Sequence, residues 1–429
     1  MPVKKTAKKK TAARKAAPKK AASRKPVQTF DVIIIGAGPA GLSFAKMVSE
    51  TGLAVAIIEK QPEAALANPA YDGREIALTH LSQKIMEDTG LWDGLPPRDI
   101  SLIRDAKVLN GDSATAFDRA RPLHFNHAET GRDNLGFMVS NHLIRTAAYS
   151  AAKACDNVKF ITGVEVTAVD TDARRARAVL SNGAVLEAPL LVAADSRFSK
   201  SRGDMGIDAA MHDFKRLCIV TRMKHERAHD ETAYECFFYD RTLAVLPLNR
   251  RHVSVVVTAE TEDGKSILAQ SPEEFARDIE KRIGRRLGKM ELTAKLHAYP
   301  LIGVYAQSFY SRRFALLGDA AVGMHPVTAH GFNFGLRGAK VLTAEIEKAM
   351  KLGLDIGAGE VLRQYERRHR AATRTMYLGT NALVGLYTRT TPVAKMARQL
   401  LLRLGGTLPP ARKAIMRQLT ELDAIQALS

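Results

Sequence analysis

Three stretches of this sequence hold residues whose types and spacing suit the binding of a phosphate-linked, ring-bearing ligand. The first is Gly36-Ala-Gly38-Pro-Ala-Gly41. Glycines at these intervals permit a tight turn, bring backbone close to a pyrophosphate and let a helix pack tightly on a strand, while the helix N-terminus supplies amide donors and partial positive charge. Glu59 follows Gly41 by 18 residues, where its carboxylate would accept hydrogen bonds from an adenosine ribose. Its charge repels a 2′-phosphate, so FAD or NAD is favoured over NADP. The other two stretches, Leu190 to Arg202 and Phe314 to Pro326, are apolar strands that end at Asp195 and at Gly318-Asp319 inside turns of small residues. Such turns bring backbone and a carboxylate against a ligand hydroxyl.

The chemistry that is missing narrows the field. Of the 12 histidines, His225 and His229 stand at HxxxH spacing with Glu226 between them, but in a stretch that alternates in strand fashion rather than on a helix, so no metal site is expected. No GxSxG or comparable nucleophile motif occurs. His325, directly before Pro326, reads as a turn residue that shapes a cavity rather than as a proton carrier.

These residues need elements to position them. Asp31 to Ile35 is a continuous apolar, β-branched run of the kind buried on both faces in a parallel sheet, and it leads directly into the glycine motif. A helix follows, with Leu42, Ala45, Met47 and Val48 apolar, and Gly52 breaks it before a second strand from Leu53 to Ile58. Gly331 to Met350 reads as a helix with Leu336, Ala339, Leu342 and Ile346 along one side. Gly331 and Asn333 sit at its start, and if that end faces the ring of a bound cofactor, its amides and the helix dipole would stabilise negative charge there. From Ile207 to His297 the pattern alternates in strand fashion, as in Thr242 to Leu248 and His252 to Thr258. Only one GxGxxG occurs, so there is no separate Rossmann domain for a nicotinamide cofactor, and either NAD(P)H binds transiently across the cleft or electrons arrive by another route.

Composition sets the outer limits. The chain has 429 residues, 46% hydrophobic and 25% charged, enough for one large core or several smaller ones. Of the 64 Lys and Arg behind its net charge of +19, eleven lie in the first 30 residues with no acid among them. Met1 to Gln28 is almost pure Lys, Ala, Pro and Thr, and is expected to be a disordered tail, either simply solvated or in loose, nonspecific contact with nucleic acid or anionic lipid. No apolar stretch comes between these lysines and Val32, which argues against a secretory signal. No apolar run is long enough to span a bilayer. Cys155, Cys218 and Cys236 are widely separated and read as reduced thiols of a cytoplasmic protein. After Gly353 the chain is helical and basic. Arg363, Arg367, Arg368, Arg370 and Arg374 come first, Arg398, Arg403, Arg412, Lys413 and Arg417 last, with Leu400, Leu401, Leu402, Leu404, Leu408 and Ile415 between. That mixture suits either the surface of an anionic membrane or a solvated helical cap.

The glycine motif alone does not separate FAD from NAD. Beyond it, the chain from about residue 29 onward resembles the flavoprotein aromatic hydroxylases, and among them the branch that hydroxylates the ring of ubiquinone precursors. A DxRxxAL pattern particular to that branch stands here as Asp72-Gly-Arg74-Glu-Ile-Ala77-Leu78, followed by Ser82 and Gly90-Leu-Trp92. The family's ADGxxSxxR segment matches Asp195, Ser199 and Arg202, with Ser196 where a glycine is usual. Its GDAAHxxHPxxGQGxNxGxxD segment matches Gly318, Asp319, His325, Pro326, Gly331, Asn333 and Gly335, while Val322, Ala329-His330 and Gly338 depart from it. Leu243 to Leu248 resembles the strand that roofs the family's substrate cavity.

The resemblance implies that Gly36, Gly38, Gly41 and Glu59 hold the ADP part of FAD, that Asp195 lies at the pyrophosphate, that Asp319 contacts the ribityl chain, and that Arg74 and Arg145 approach the cofactor. It implies an α/β fold of the glutathione-reductase-like, FAD-binding Rossmann kind with a mixed-sheet substrate domain. The expected division places FAD-binding segments at 29–100, 136–206 and 300–352, substrate-domain segments at 101–135 and 207–299, and C-terminal helices at 353–429. The implied reaction is monooxygenation of a polyprenylated phenol or quinol by O2, with NAD(P)H as transient reductant, and the 5-demethoxyubiquinol step is the expected ring position. The enzyme would be cytoplasmic and peripheral on the inner membrane, beside other quinone-biosynthesis proteins. A hydroxylase of soluble phenols, a prenyl-chain reductase and a flavin-containing DNA-associated redox protein are the alternatives.

Overall fold

A computed structural model describes residues 27–111, 122–238, 240–325, 330–388 and 409–428. The run Val32–Ile35 has no polar residue to place and is buried throughout. It therefore takes an inner place in a six-stranded sheet, in the order Tyr310–Ser311, Phe314–Leu316, Leu190–Ala193, Val32–Ile35, Val55–Glu59 and Val158–Thr162. Every pairing is parallel except that of the Tyr310–Ser311 edge. Pro39 opens the helix Pro39–Ser49, where its missing N–H costs nothing and its fixed φ suits the first turn. The apolar side of that helix, including Leu42, Ala45, Met47 and Val48, is buried against the sheet and the helices Asn141–Lys153 and Gly331–Lys351. The sheet takes strands from three separated parts of the chain, and the sequence between them builds a second layer.

That layer is a nine-stranded mixed sheet. Thr232–Phe238 pairs parallel with Asp105–Gly111 and antiparallel with Arg241–Leu248, and His252–Glu260 and Ala209–His225 continue the ladder. Strand alternation sends Cys236, Phe238, Leu243 and Val255 to the outer face, which is covered by the helix Pro272–Arg282 through Phe275 and Ile279. Ser271 and Glu274 close that helix's N-terminus with a reciprocal capping box. The inner face carries small residues, Ala106, Ala233, Ala244 and Ser254, and turns toward the cofactor-side layer. A three-stranded sheet of Glu75–Leu78, Gly136–Ser140 and Ser101–Ile103 joins the two layers.

Several boundaries differ from those read in the sequence. Val27–Thr29 is a strand, paired parallel with Val185–Ala188, so the tail expected to run to Gln28 ends at least two residues earlier. Val27 and Gln28 can join a ladder whose edge is open, whereas the remainder of that tail lies outside the described residues. The boundary expected at 299/300 falls inside the strand His297–Ala306, whose pairing with Ala209–His225 runs on from Val220 opposite His297 to Ala209 opposite Ala306. The basic C-terminal part forms helices Gly359–Thr388, Pro409–Thr420 and Leu422–Leu428. Arg398, Leu400 to Leu404 and Leu408 lie outside the described residues. Among the described residues, no helix is long and apolar enough to cross a membrane.

The helix Pro409–Thr420 is clamped at both ends. Arg412 pairs with Glu129 at 3.0 Å. Beyond its last turn Glu421, in the left-handed region at φ 52°, buries a carboxylate that accepts from Arg337 at 3.0 Å and from the Thr79 hydroxyl at 2.9 Å. With the Glu421 side chain only 4% exposed, Arg337→Ala leaves a buried carboxylate without its cation. We expect a loss of roughly 3 kcal/mol in thermal or denaturant unfolding, together with faster proteolysis of the C-terminal helices. Unchanged stability and cleavage would show that this pair does not hold the segment down.

Candidate active site

The glycine turn is built by exclusion of side chains. A Cβ on Gly41 would lie 2.2 Å from the Gly36 carbonyl oxygen, and one on Gly36, at φ 103°, would lie 2.5 Å from the Ala194 carbonyl oxygen. Helix, turn and the Leu190–Ala193 strand therefore touch backbone to backbone. Gly38 differs, since a Cβ there would meet nothing within 4 Å. The first helical turn thus has unobstructed space beside its free amides, as an incoming phosphate requires. Glu59 accepts from the Ala37 amide at 2.9 Å and from the Gln61 amide at 2.9 Å, which fixes its carboxylate against the turn. A carboxylate has roughly four lone-pair sites, so acceptor capacity remains for a ribose.

The other sequence motifs converge on the same turn. Gly318, at φ 59°, and Gly335 each bring backbone to within 3.1 Å of the Ala40 side chain, measured from where their Cβ would stand. Asp319 accepts from Arg197 at 2.9 Å through Oδ2. Arg202 donates to the carbonyl of Ala320 at 2.9 Å and to that of Arg197 at 3.2 Å, stitching the Asp195 turn to the Asp319 turn. Asp195 accepts from the Ser201 amide at 3.2 Å, while its Oδ1 is buried with no partner among the described residues. A buried carboxylate oxygen left open beside an unobstructed helix N-terminus fits a bound dinucleotide. Ser196, where the family has glycine, adopts φ 81° all the same. The turn needs that left-handed conformation, and serine carries the strain.

Asn333 is almost fully buried and bridges two elements, donating to the Ala77 carbonyl at 2.8 Å and accepting from the Thr79 amide at 3.2 Å. Its side chain thus ties the start of the Gly331–Lys351 helix to the DxRxxAL segment, and what that start offers a ligand is backbone N–H. Gly338 has a clear reason to lack a side chain, because a Cβ would come within 2.9 Å of the His369 ring, which is stacked on Tyr365. The acid usual in the family has given way to a histidine from the helix Gly359–Thr388.

Arg74 is held by Asp72 at 2.5 Å and lies over the Tyr299 ring, 5.5 Å from its centre. Burial opposes its charge, and Asp72, Tyr299 and Asp319 more than offset that, so the charge is held firmly. Asn141 donates to Asp72 at 2.8 Å and Tyr299 donates to the Asp72 carbonyl at 2.7 Å, which docks the motif on the substrate-side sheet. Arg145, on the helix Asn141–Lys153, is half-buried and is not brought into contact with the other candidate residues among those described. His325 is buried edge-on to Phe214, and burial, with Arg216 adding to it, pushes the imidazole down to about 4. It is neutral at physiological pH. Pro326 lies outside the described residues.

Between the layers lies a cavity of about 150 Å³, walled by Ala77 to Thr79, Ile103, Ala106, Phe125, Leu135, Ala233, His330, Asn333, Met416 and Leu419. Apolar cavities of this size accept a benzene-sized ring. His330, at the position where the family has glutamine, is buried in this wall. Sequence reading assigned no role to Arg197, Asn141 or Tyr299, and it missed the contribution of Met416 and Leu419 to the cavity. Arg197 stood inside a quoted motif, but only the fold reveals that it reaches Asp319. No group of His, Cys, Asp and Glu able to hold a metal ion occurs among the described residues.

Together with its relatives, the fold defines an FAD-dependent monooxygenase. The chain belongs to the family described as FAD binding domain, whose model matches residues 29–377, and within it to the ubiquinone hydroxylase branch. It is 47% identical over 394 residues to ubiquinone hydroxylase UbiM of Neisseria meningitidis, covering 91% of this chain and 84% of that protein. It is 32% identical to ubiquinone hydroxylase UbiL of Rhodospirillum rubrum, over 90% of this chain and 88% of that one. Among solved structures, p-nitrophenol 4-monooxygenase PnpA of Pseudomonas putida superposes with a TM-score of 0.74 at 18% identity, covering 92% of this chain and 99% of that one, and shares the fold.

The two inner glycines should respond differently to one methyl group. Gly41→Ala drives a Cβ into backbone and is expected to destabilise the protein by about 2 kcal/mol or more, with or without FAD. Gly38→Ala meets open space, so the apoprotein should unfold as the wild type does while FAD binding weakens at least about tenfold. Titration of apoprotein with FAD, followed by flavin fluorescence, checks this. Equal FAD affinity in Gly38→Ala would remove the phosphate from this turn.

Proposed function

We propose that this enzyme hydroxylates the aromatic ring of a polyprenylated phenol or quinol in ubiquinone biosynthesis. The observation that carries the reading is the apolar, ring-sized cavity walled by the DxRxxAL segment, His330 and Asn333, next to a turn whose residues fit FAD. The names of the relatives from Neisseria meningitidis and Rhodospirillum rubrum support the substrate class. At the finer level we infer the 5-demethoxyubiquinol step, in keeping with the replacement of the usual glutamine by His330 in the cavity wall.

In this reading Gly36, Gly38, Gly41 and Glu59 hold the ADP part of FAD, with Asp195, Asp319, Arg74 and Arg145 around the rest and the first turn of the Gly331–Lys351 helix at the flavin ring. Once reduced by NAD(P)H, bound FAD supplies the means of activating O2 so that one oxygen atom reaches an electron-rich ring. The chain supplies position and environment. Amides at the helix start, held in place by Asn333, stabilise negative charge where it develops. The apolar walls exclude water that would divert the oxidising equivalent, and they hold the ring in one orientation.

The prenyl chain has a route to the surface along the helix Pro409–Thr420. Leu419 lines the cavity and is 37% exposed, and Ile415 is 39% exposed on the same helix as Lys413 and Arg417. Exposed apolar residues flanked by cations support docking on an anionic membrane, where such a substrate resides.

The test is the quinone profile of cells lacking this protein, by mass spectrometry of lipid extracts, with wild type and Asp319→Ala supplied in turn. A demethoxy or earlier under-hydroxylated precursor should accumulate, and only the wild type should clear it. An unchanged profile would contradict the assignment.

A further inference from the structure

Among the described residues, one inward-facing carboxyl has no structural employment. Glu235 lies mid-strand in Thr232–Phe238, in the middle of the substrate-side sheet. Alternation places Ala233, Glu235 and Phe237 on the inner face, opposite Cys236 and Phe238, which pack into the outer core. Its cross-strand neighbours are Val108 and Ala244. Val108 packs in one cluster with Phe125 and Met416, both of which wall the cavity, as does Ala233 two residues along the strand. Among the described residues Glu235 makes no hydrogen bond and no ion pair, yet it is only half-buried, so something can reach it. An inward, unpartnered carboxyl among alanine and valine costs stability and points to use.

We propose that Glu235 accepts the proton of the substrate's ring hydroxyl during hydroxylation, an inference that rests on the reading of this cleft as a ring hydroxylase. The substrate O–H bond breaks and a Glu235 O–H bond forms, leaving electron density that flows into the ring carbon receiving the oxygen atom. That carbon then loses its hydrogen to water as a proton, and the phenol oxygen recovers its proton from Glu235. O2 is the oxidant, NAD(P)H the reductant, and the second oxygen atom leaves as water.

The charged groups that face this region are already engaged. On the inner face of the neighbouring strands, Arg222 is paired with Glu75 at 2.6 Å and Arg216 with Glu260 at 3.5 Å, Cys218, His252, His297 and Tyr299 make no ion pair with Glu235 among the described residues, and Lys224, opposite His252, is exposed three strands away. On the opposing layer Arg197 serves Asp319 and Arg74 serves Asp72, and on the C-terminal helix Arg412 serves Glu129. Burial therefore acts unopposed and pushes the Glu235 carboxyl up to about 8. A base so tuned works best at mildly alkaline pH, and its strength is closer to that of a phenol than an ordinary carboxylate's. The linkage has a definite sign. The unfolded chain ionises in the ordinary carboxylate range and the fold does not, so this group makes wild-type stability decline as pH rises from about 5 to about 8.

The experiment compares wild-type and Glu235→Gln holoenzyme with 2-geranylphenol as probe, in single turnovers from about pH 6 to about pH 9. Wild-type hydroxylation should climb with pH toward a plateau above about 8. The variant should bind FAD, lose about 100-fold in hydroxylation, release peroxide in its place and show no climb. Melting temperatures give a readout without turnover, because the variant should lack the wild type's decline across the same range. Hydroxylation by the variant within about threefold of wild type at every pH would overturn the proposal, as would a flat wild-type profile, which needs no variant to be measured. A wild type that makes no hydroxylated product from a prenylated phenol would instead overturn the hydroxylase reading itself.

Discussion

The structure depends on backbone meeting backbone at the glycine turn. Gly41 against the Gly36 carbonyl, and Gly318 and Gly335 against the Ala40 side chain, leave no room for added carbon atoms. These contacts draw three separated stretches of the chain into one place, and the candidate cofactor contacts of the Asp195 and Asp319 turns gather around it. Side-chain bonds then lock the arrangement. Arg202 ties the Asp195 turn to the Asp319 turn, Arg197 holds Asp319, and Asn333 fastens the Gly331–Lys351 helix to the segment behind Asp72. The open space at Gly38 and the open oxygen of Asp195 gain their meaning from how tightly everything around them is filled.

The second layer solves a different problem, that of covering one face of a large sheet while leaving the other usable. Its outer face is sealed by ordinary apolar packing under the Pro272–Arg282 helix. Its inner face is lined with small residues, which lower the roof only partway and leave a ring-sized volume. The remaining wall comes from the C-terminal helix Pro409–Thr420, held by the Arg412–Glu129 pair at one end and by Glu421 at the other. Substrate binding is thereby coupled to a segment that adjoins the surface, which suits a ligand with a long hydrocarbon tail.

Much of this was legible in the sequence, for identifiable reasons. Val32–Ile35 and its glycine turn announce themselves because both-face burial and close backbone approach demand particular residue types locally. The helix at Gly331 was legible from its apolar side. What stayed hidden depends on partners distant in the chain. The 17-residue strand Ala209–His225 pairs on both sides across irregular register, and nothing local fixes where His297–Ala306 starts beside it. Arg197 and Glu421 are unremarkable surface types in the sequence, and only folding brings them to Asp319 and Arg337. Glu235 left one faint signal, a charge at an inward position of an otherwise apolar alternating strand. Ser196 shows the reverse case, in which a departure from the family leaves the backbone conformation as it was.

The central claim is that this cleft places one atom of molecular oxygen on an aromatic ring. The most direct measurement supplies purified holoenzyme with NAD(P)H, a prenylated phenol and isotopically heavy O2, and reads the product by mass spectrometry. Our account predicts a product that carries a single heavy oxygen on the ring, with the prenyl chain unchanged. Heavy isotope found only in peroxide or water, or a product that has gained hydrogen in its chain and no oxygen, would contradict it.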